Sequence, residues 1–323
     1  MAAAAMAGHA TRKHRGQHKM QLRIDHHPDP MMGMMPLFCA IDFGLFQKRG
    51  IEPVFVERTN VQAIEDMRAG RMDLSFSGPT LTIMAHEKFG LDTKFVSAAA
   101  LRGSYNGHSA DFMNIVAARG VDIRVPADFE GKTIAVFALD GGITHSAPLY
   151  LFNKHGVDAA TIHWKTMPFH RMADAMAAGE VDVAVNVEPF VTLMRRRDLG
   201  TTVDEVFGAG SLAMAATGNP SLVSNWWTTR QAYQEKPELF EAVNAALNEA
   251  IERIYADQGA ALDAMSRQTG QRLDLLREIG FQTSFFHACP MNAPEIRGMY
   301  EDWVRVLQGA GLLQEPVDCG RFF

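Results

Sequence analysis

Three cysteines in 323 residues, none at short spacing from another, leave no material for a zinc cluster or a disulfide framework. No apolar run approaches the roughly 18 residues that a membrane-spanning helix needs. Basic charge is also short. The net charge is −6, and beyond the N-terminal tail the one basic block is Arg195, Arg196 and Arg197. Nucleic acid is therefore not an expected partner. Residues 1–19, MAAAAMAGHATRKHRGQHK, are Ala-rich and then basic, with no apolar segment after the charges. That order does not read as a secretory signal peptide, so a cytoplasmic location stays open. The expectation is a disordered tail, with folding that begins at Met20.

What is present is an ordinary globular balance, 47% hydrophobic and 21% charged, in a chain long enough for two domains or one large one. Short strand-like and helix-like stretches alternate from residue 20. MQLRID reads as a strand and is followed by a helix from about Pro36 to a stop at Gly50. IEPVFVER is a strand, NVQAIEDMRAG a helix, MDLSFSG a strand, PTLTIMAHEKFG a helix with Pro79 in its first turn, and DTKFVSAAAL a strand. The grammar restarts with NIVAARG, KTIAVFA, THSAPLYLFNKHG, TIHWKTM, FHRMADAMAAGE, VDVAVNV and EPFVTLMRRRD. After SLVSNWWTT the character changes to long amphipathic helices, KPELFEAVNAALNEAIERIYAD and APEIRGMYEDWVRVLQGAG. The fold class is α/β, with a largely parallel sheet expected in each unit.

Several stretches, in this order, resemble one family: AIDFGLFQKRGIEPVFVE, IEDMRAGRMDLSFSGPT, VDIRVPADFEGKTIAVFALDGGITHSAPLYLFNKHGVDAATI, MADAMAAGEVDVAVNVEPF and SLVSNWWTTRQAYQEKPELFEAV. The chain from about 20 to 318 is similar to the type 2 periplasmic-binding-protein fold. Within that fold it resembles the group of nitrate-, sulfonate- and taurine-binding proteins and thiamine-pyrimidine precursor proteins, the NMT1/THI5-like group. The resemblance implies two lobes joined by two crossover strands, near residues 109–116 and 219–228, that close over a ligand by hinge motion. Lobe one would comprise 20–110 and the helical 225–323, and lobe two 111–224. It implies a small organic ligand, the membrane subunits of an ABC importer as further partners, a monomer, and a periplasmic location.

Ligands of open α/β sheets sit at the carboxyl ends of strands, often against helix N-termini. That rule nominates His26, His27, Asp29 and Met31 after the first strand, and Ser77, Gly78 and Thr80 after DLSF. It adds Gly142, Thr144 and His145 after TIAVFA, Glu188 and Phe190 after VDVAVNV, and Trp226 in the second crossing. Alternation keeps His26 and His27 from pointing the same way. The methionines from 31 to 35 would supply a polarizable wall or belong to the core. Thr80 and Thr144 open helices whose free N–H groups favour an anionic end, and Trp226 or Trp227 could stack on a ring. Together these suggest an aromatic or heterocyclic acid, sulfonate or pyrimidine-like ligand, without a cofactor. A metal at His26, His27, Asp29 and His145 is disfavoured because adjacent histidines do not easily share one ion.

An enzyme on the same scaffold is the alternative, in the manner of the pyrimidine-precursor synthases, desulfinases or decarboxylases. The resemblance puts the desulfinases' nucleophilic cysteine near Met31, and the synthases' cysteine-rich motif has no counterpart here. His287 and Cys289 in FFHACPMN are two residues apart, a spacing that lets a Cys–His nucleophile meet, although a loop packed on the cleft rim is the expectation there. Cys39 falls in an apolar helix, and no lysine occupies the opening loop for a Schiff base. These absences favour a binding protein.

Overall fold

The computed structural model describes residues 19–26, 29–57, 60–101, 113–139, 141–208, 211–280 and 285–323. Strand β1 (Met20–His26) pairs in parallel with β2 (Ile51–Glu57). A single parallel bridge, Ile24 to Leu74, carries this pair on to β3 (Ser75–Ser77). Strand β10 (Asn225–Thr229) lies antiparallel between β3 and β4 (Thr93–Ala98). It is buried along its whole length, so β-branched and aromatic residues fill it.

The second sheet has five strands in the order β7-β6-β8-β5-β9. They are β5 (Met113–Ala118), β6 (Thr133–Val136), β7 (His163–Thr166), β8 (Val183–Val187) and β9 (Gly200–Thr202). Here β6 runs parallel to β7 and β8, whereas β5 runs antiparallel to β8 and β9. The sheets are thus mixed rather than largely parallel. Both antiparallel strands, β5 and β10, follow a passage from the other sheet. A parallel neighbour needs a crossover that returns to the same sheet, and the described strand just before each, β4 before β5 and β9 before β10, belongs to the other sheet. The first of these passages lies mostly outside the described residues.

The helix expected from Pro36 to Gly50 is two helices, α1 (Met35–Asp42) and α2 (Leu45–Lys48). Gly44, at φ 69°, breaks them in the left-handed conformation that a side chain would resist. Helices α3 (Asn60–Arg68) and α4 (Pro79–Glu87) flank β3 in sequence. α5 (Ile143–His155), α6 (Phe169–Ala177), α7 (Phe190–Arg196) and α8 (Leu212–Thr217) belong with the second sheet. The C-terminal part is helical as expected, with α9 (Arg230–Glu235), α10 (Pro237–Ala256), α11 (Gln258–Thr269), α12 (Leu273–Ile279) and α13 (Pro294–Gly309). α10 buries Leu239, Phe240, Val243, Ala246, Leu247, Ala250 and Ile254, a helical stripe that packs on α1 and α11. α13 reaches α4 of the first unit and α5 and α8 of the second, with its buried Trp303 donating to the Leu222 carbonyl at 2.6 Å.

Two carboxylates hold β1 to β3 where ladder bonds are few. Asp73 is buried and accepts the Arg23 guanidinium twice at 2.8 Å, the Arg23 N–H at 2.9 Å and the Lys236 ammonium at 2.8 Å. Its cationic partners keep its carboxyl below the usual range despite the opposing desolvation. Two residues beyond Arg23 on β1, Asp25 accepts the Phe76 N–H at 2.9 Å and the Ser75 hydroxyl. Burial pushes the Asp25 carboxyl up to about 7, and these two bonds counter it only in part.

Candidate functional site

The ends of β3, β6 and β8 and the first turns of α4, α5 and α6 converge on one cavity. One wall is Met31, Phe76, Ser77, Gly78, Leu81, Val223 and Ser224. The other is Met113, Phe137, Gly142, Ile143, Thr144, Phe169 and Val187. The first wall belongs to the β3–β10–β4 side and the second to the five-stranded side. The empty space measures about 590 Å³ with its open mouth included, and water-sized spheres centre in about 60 Å³ of it. That is room for a few waters, so an organic ligand needs the walls to part.

The walls meet at a tight seam. A Cβ on Gly78 would lie 3.1 Å from Ile143 Cβ, and one on Gly141 2.7 Å from Met84 Cγ. Polar bonds also cross from one side to the other. The Met32 N–H donates to the Glu188 carbonyl at 3.0 Å, and the His170 ring bonds the buried Asp29 carboxylate through Nδ1. Arg196 on α7 pairs with Asp274 at 2.8 Å and Glu278 at 2.7 Å on α12.

The cavity surface is overwhelmingly apolar. Its aromatic side is a row in which Phe137 stacks on Phe169 at 4.8 Å and Phe169 on Phe190 at 6.3 Å. Three hydroxyls supply the side-chain polarity. Ser77 accepts the Trp227 indole N–H at 2.9 Å and lies 3.2 Å from the Gly78 carbonyl, to which it donates. Ser224 accepts the Ala100 N–H at 3.1 Å, and Thr144 the Phe137 N–H at 3.2 Å. Among the described residues no Asp, Glu, His, Lys or Arg lines the cavity.

Of the residues nominated from the sequence, Met31, Ser77, Gly78, Gly142 and Thr144 come together on this surface. Met32, Met34 and Met35 are core. His27 and the His26 side chain lie outside the described residues. The others are near the cavity but turned to different tasks. Asp29 is spent on His170. Thr80 is fully buried in the first turn of α4 and does not reach the cavity, its hydroxyl without a hydrogen-bond partner. His145 turns to the second sheet, edge-on to Trp164 at 4.7 Å. The half-buried Glu188 carboxylate caps α7, accepting the Thr192 N–H at 3.0 Å and the Thr192 hydroxyl at 2.9 Å. Desolvation raises its carboxyl above the usual range against those bonds. Phe190 stacks behind Phe169. Stacking of Trp226 on a ligand is corrected: it is fully buried beside Phe76, its cross-strand neighbour, at 4.7 Å, so it backs the wall without being on it.

Sequence reasoning missed most of the lining: the apolar Phe76, Leu81, Met113, Phe137, Ile143, Phe169, Val187 and Val223, and the hydroxyl of Ser224. The strand-end rule could have found Phe76, Phe137 and Val187, which close the runs DLSF, TIAVF and VDVAVNV.

The cysteines are buried away from the cavity. Burial raises all three thiols, Cys289 to about 11, Cys319 to about 12 and Cys39 higher still. The His287 ring faces Glu295 at 3.3 Å.

This chain matches the NMT1/THI5-like family over residues 32–261, well over half its length. It belongs to that family. No curated protein matches it in sequence. Solved structures share its fold at low identity. The alkanesulfonate-binding protein SsuA from Xanthomonas axonopodis pv. citri, bound to MOPS, superposes with a TM-score of 0.70 at 18% identity, covering 92% of this chain and 96% of that one. The periplasmic aliphatic sulphonate binding protein SsuA from Escherichia coli gives 0.68 at 16%, over 93% and 91%. The periplasmic nitrate-binding protein NrtA from Synechocystis PCC 6803 gives 0.74 at 10%, over 93% and 84%. The fold is that of the periplasmic binding proteins, with mixed sheets.

Proposed function

We propose that this protein is the substrate-binding component of an ABC importer. It takes a small organic ligand with an aromatic or heterocyclic ring into the cleft between two lobes and hands it on unchanged. The observation that carries this reading is a cavity walled from both sides, whose seam and crossing bonds must open before a ligand enters. Membership of the NMT1/THI5-like family supports it, as do the sulfonate- and nitrate-binding proteins that share the fold. The same likeness favours a periplasmic site of action and membrane subunits as partners. The three raised thiols speak against cysteine catalysis. The anionic end expected of the ligand has no cationic side chain to meet it on the described walls.

A thermal-shift screen of small organic compounds tests the reading. A true ligand at a hundredfold excess over its Kd stabilises the fold by about 2.7 kcal/mol. The free protein must open and close to admit a ligand, so small-angle scattering should show compaction when a ligand holds the walls together, and mass spectrometry should recover the ligand intact. A product formed during incubation, or tight binding without compaction, overturns it.

A further inference from the structure

We infer that the cleft selects an uncharged ring bearing hydrogen-bond acceptors, and turns away the anion of the same shape. The inference rests on the receptor reading above and names its ligand class.

The hydroxyls decide which polar groups the ligand carries. Ser77 is committed on both counts, since it accepts from Trp227 and donates to the Gly78 carbonyl. Ser224 and Thr144 each accept from a backbone N–H, which leaves each with an O–H to donate. They stand on opposite walls. A ligand between them therefore meets donors, and carbonyl, ether or ring-nitrogen acceptors answer them. The first turn of α5, at residues 142–144, adds a partial positive charge that suits a carbonyl oxygen. α4 offers less, because Pro79 brings no N–H to its first position.

The charge argument is independent. The wall has no Lys or Arg among the described residues, and the acids near it work against an anion. Asp25 accepts from Phe76, a wall residue, and Asp29 bonds His170, the neighbour of the wall residue Phe169. A carboxylate or sulfonate in this apolar slot would lose its water with no counter-ion to replace it. Both acids already have partners, so a cation gains no free carboxylate there. The ring follows from the Phe137–Phe169 stack, 23° from parallel, whose series a flat ligand extends.

Calorimetry with pairs of matched shape tests this: benzamide and benzoate, nicotinamide and nicotinate, toluenesulfonamide and toluenesulfonate. At about pH 8 the carboxylic and sulfonic acids are ionised and the amides neutral, so each pair differs by one charge. The neutral member of each pair should bind at least about tenfold more tightly, and Ser224→Ala should weaken it about tenfold while changing toluene less than about twofold. Equal or tighter binding of the anions overturns the inference, as does an unchanged Ser224→Ala. If no pair binds, the ring assignment falls, while compaction with another compound leaves the receptor reading standing. If a neutral ring binds and is converted to product, the receptor reading falls and the charge selection stands.

Discussion

Asp25→Asn gives the sharpest test of how the cleft floor is held. The carboxyl is buried and accepts from Ser75 and Phe76, and burial moves it from the ordinary 3.8 to about 7. Between about pH 4 and about pH 7 the folded chain therefore holds a proton that the unfolded chain has released. Stability falls as pH rises through that window and levels off above it. At about 1.4 kcal/mol per tenfold change in proton affinity, the whole interval is worth about 4 kcal/mol at most. Asparagine keeps an acceptor for the Phe76 N–H and never ionises. The variant should match the native protein near pH 4, then become the more stable of the two, by about 2–4 kcal/mol above pH 7. Urea unfolding of both proteins across pH 4–8.5 measures the difference, and titrations common to the two cancel. A difference that stays constant with pH, or a native protein more stable than the variant at pH 8, refutes the reasoning.

Two further outcomes follow from the seam and the thiols. Gly78→Ala leaves the backbone unstrained, because φ −69° and ψ 154° suit any residue. Its methyl would press on Ile143 of the facing wall at 3.1 Å and lie 3.3 Å from the Val223 carbonyl of its own wall. Ligand affinity should fall by about 1–3 kcal/mol and recover in part with Ile143→Ala; calorimetry showing native affinity would mean that the seam is open in the bound state. Cys39, Cys289 and Cys319 should resist a thiol reagent at neutral pH in the native protein and all react on unfolding, so rapid native labelling of any one contradicts their burial.

The alternation of strand and helix was legible because apolar period and turn residues are local. MQLRID, KTIAVFA and VDVAVNV became β1, β6 and β8, and PELFEAVNAALNEAIERIYA became α10. Strand direction was not. β5 and β10 run against their neighbours because of where each arrives from, and a strand's own residues carry no record of its neighbour. The short β9 and α8 were missed too, each being too brief for a period to show.

The candidate site divides the same way. Ser77, Gly78, Gly142 and Thr144 could be read in advance, since strand ends and helix starts are marked by small and hydroxyl residues. His145 and Trp226 carry suggestive chemistry, but a rotation of one residue along α5 or a cross-strand partner on β3 sends them behind the wall. Phe137 and Phe169 were not nominated from the sequence. Burial is all that hydrophobic periodicity records, and an aromatic on a closed cleft is as buried as one in a core. The sequence by itself determined the family, the order of elements and the small residues at their junctions. Only the tertiary structure decided which buried side chains face each other across empty space, because that depends on how two separately built walls meet.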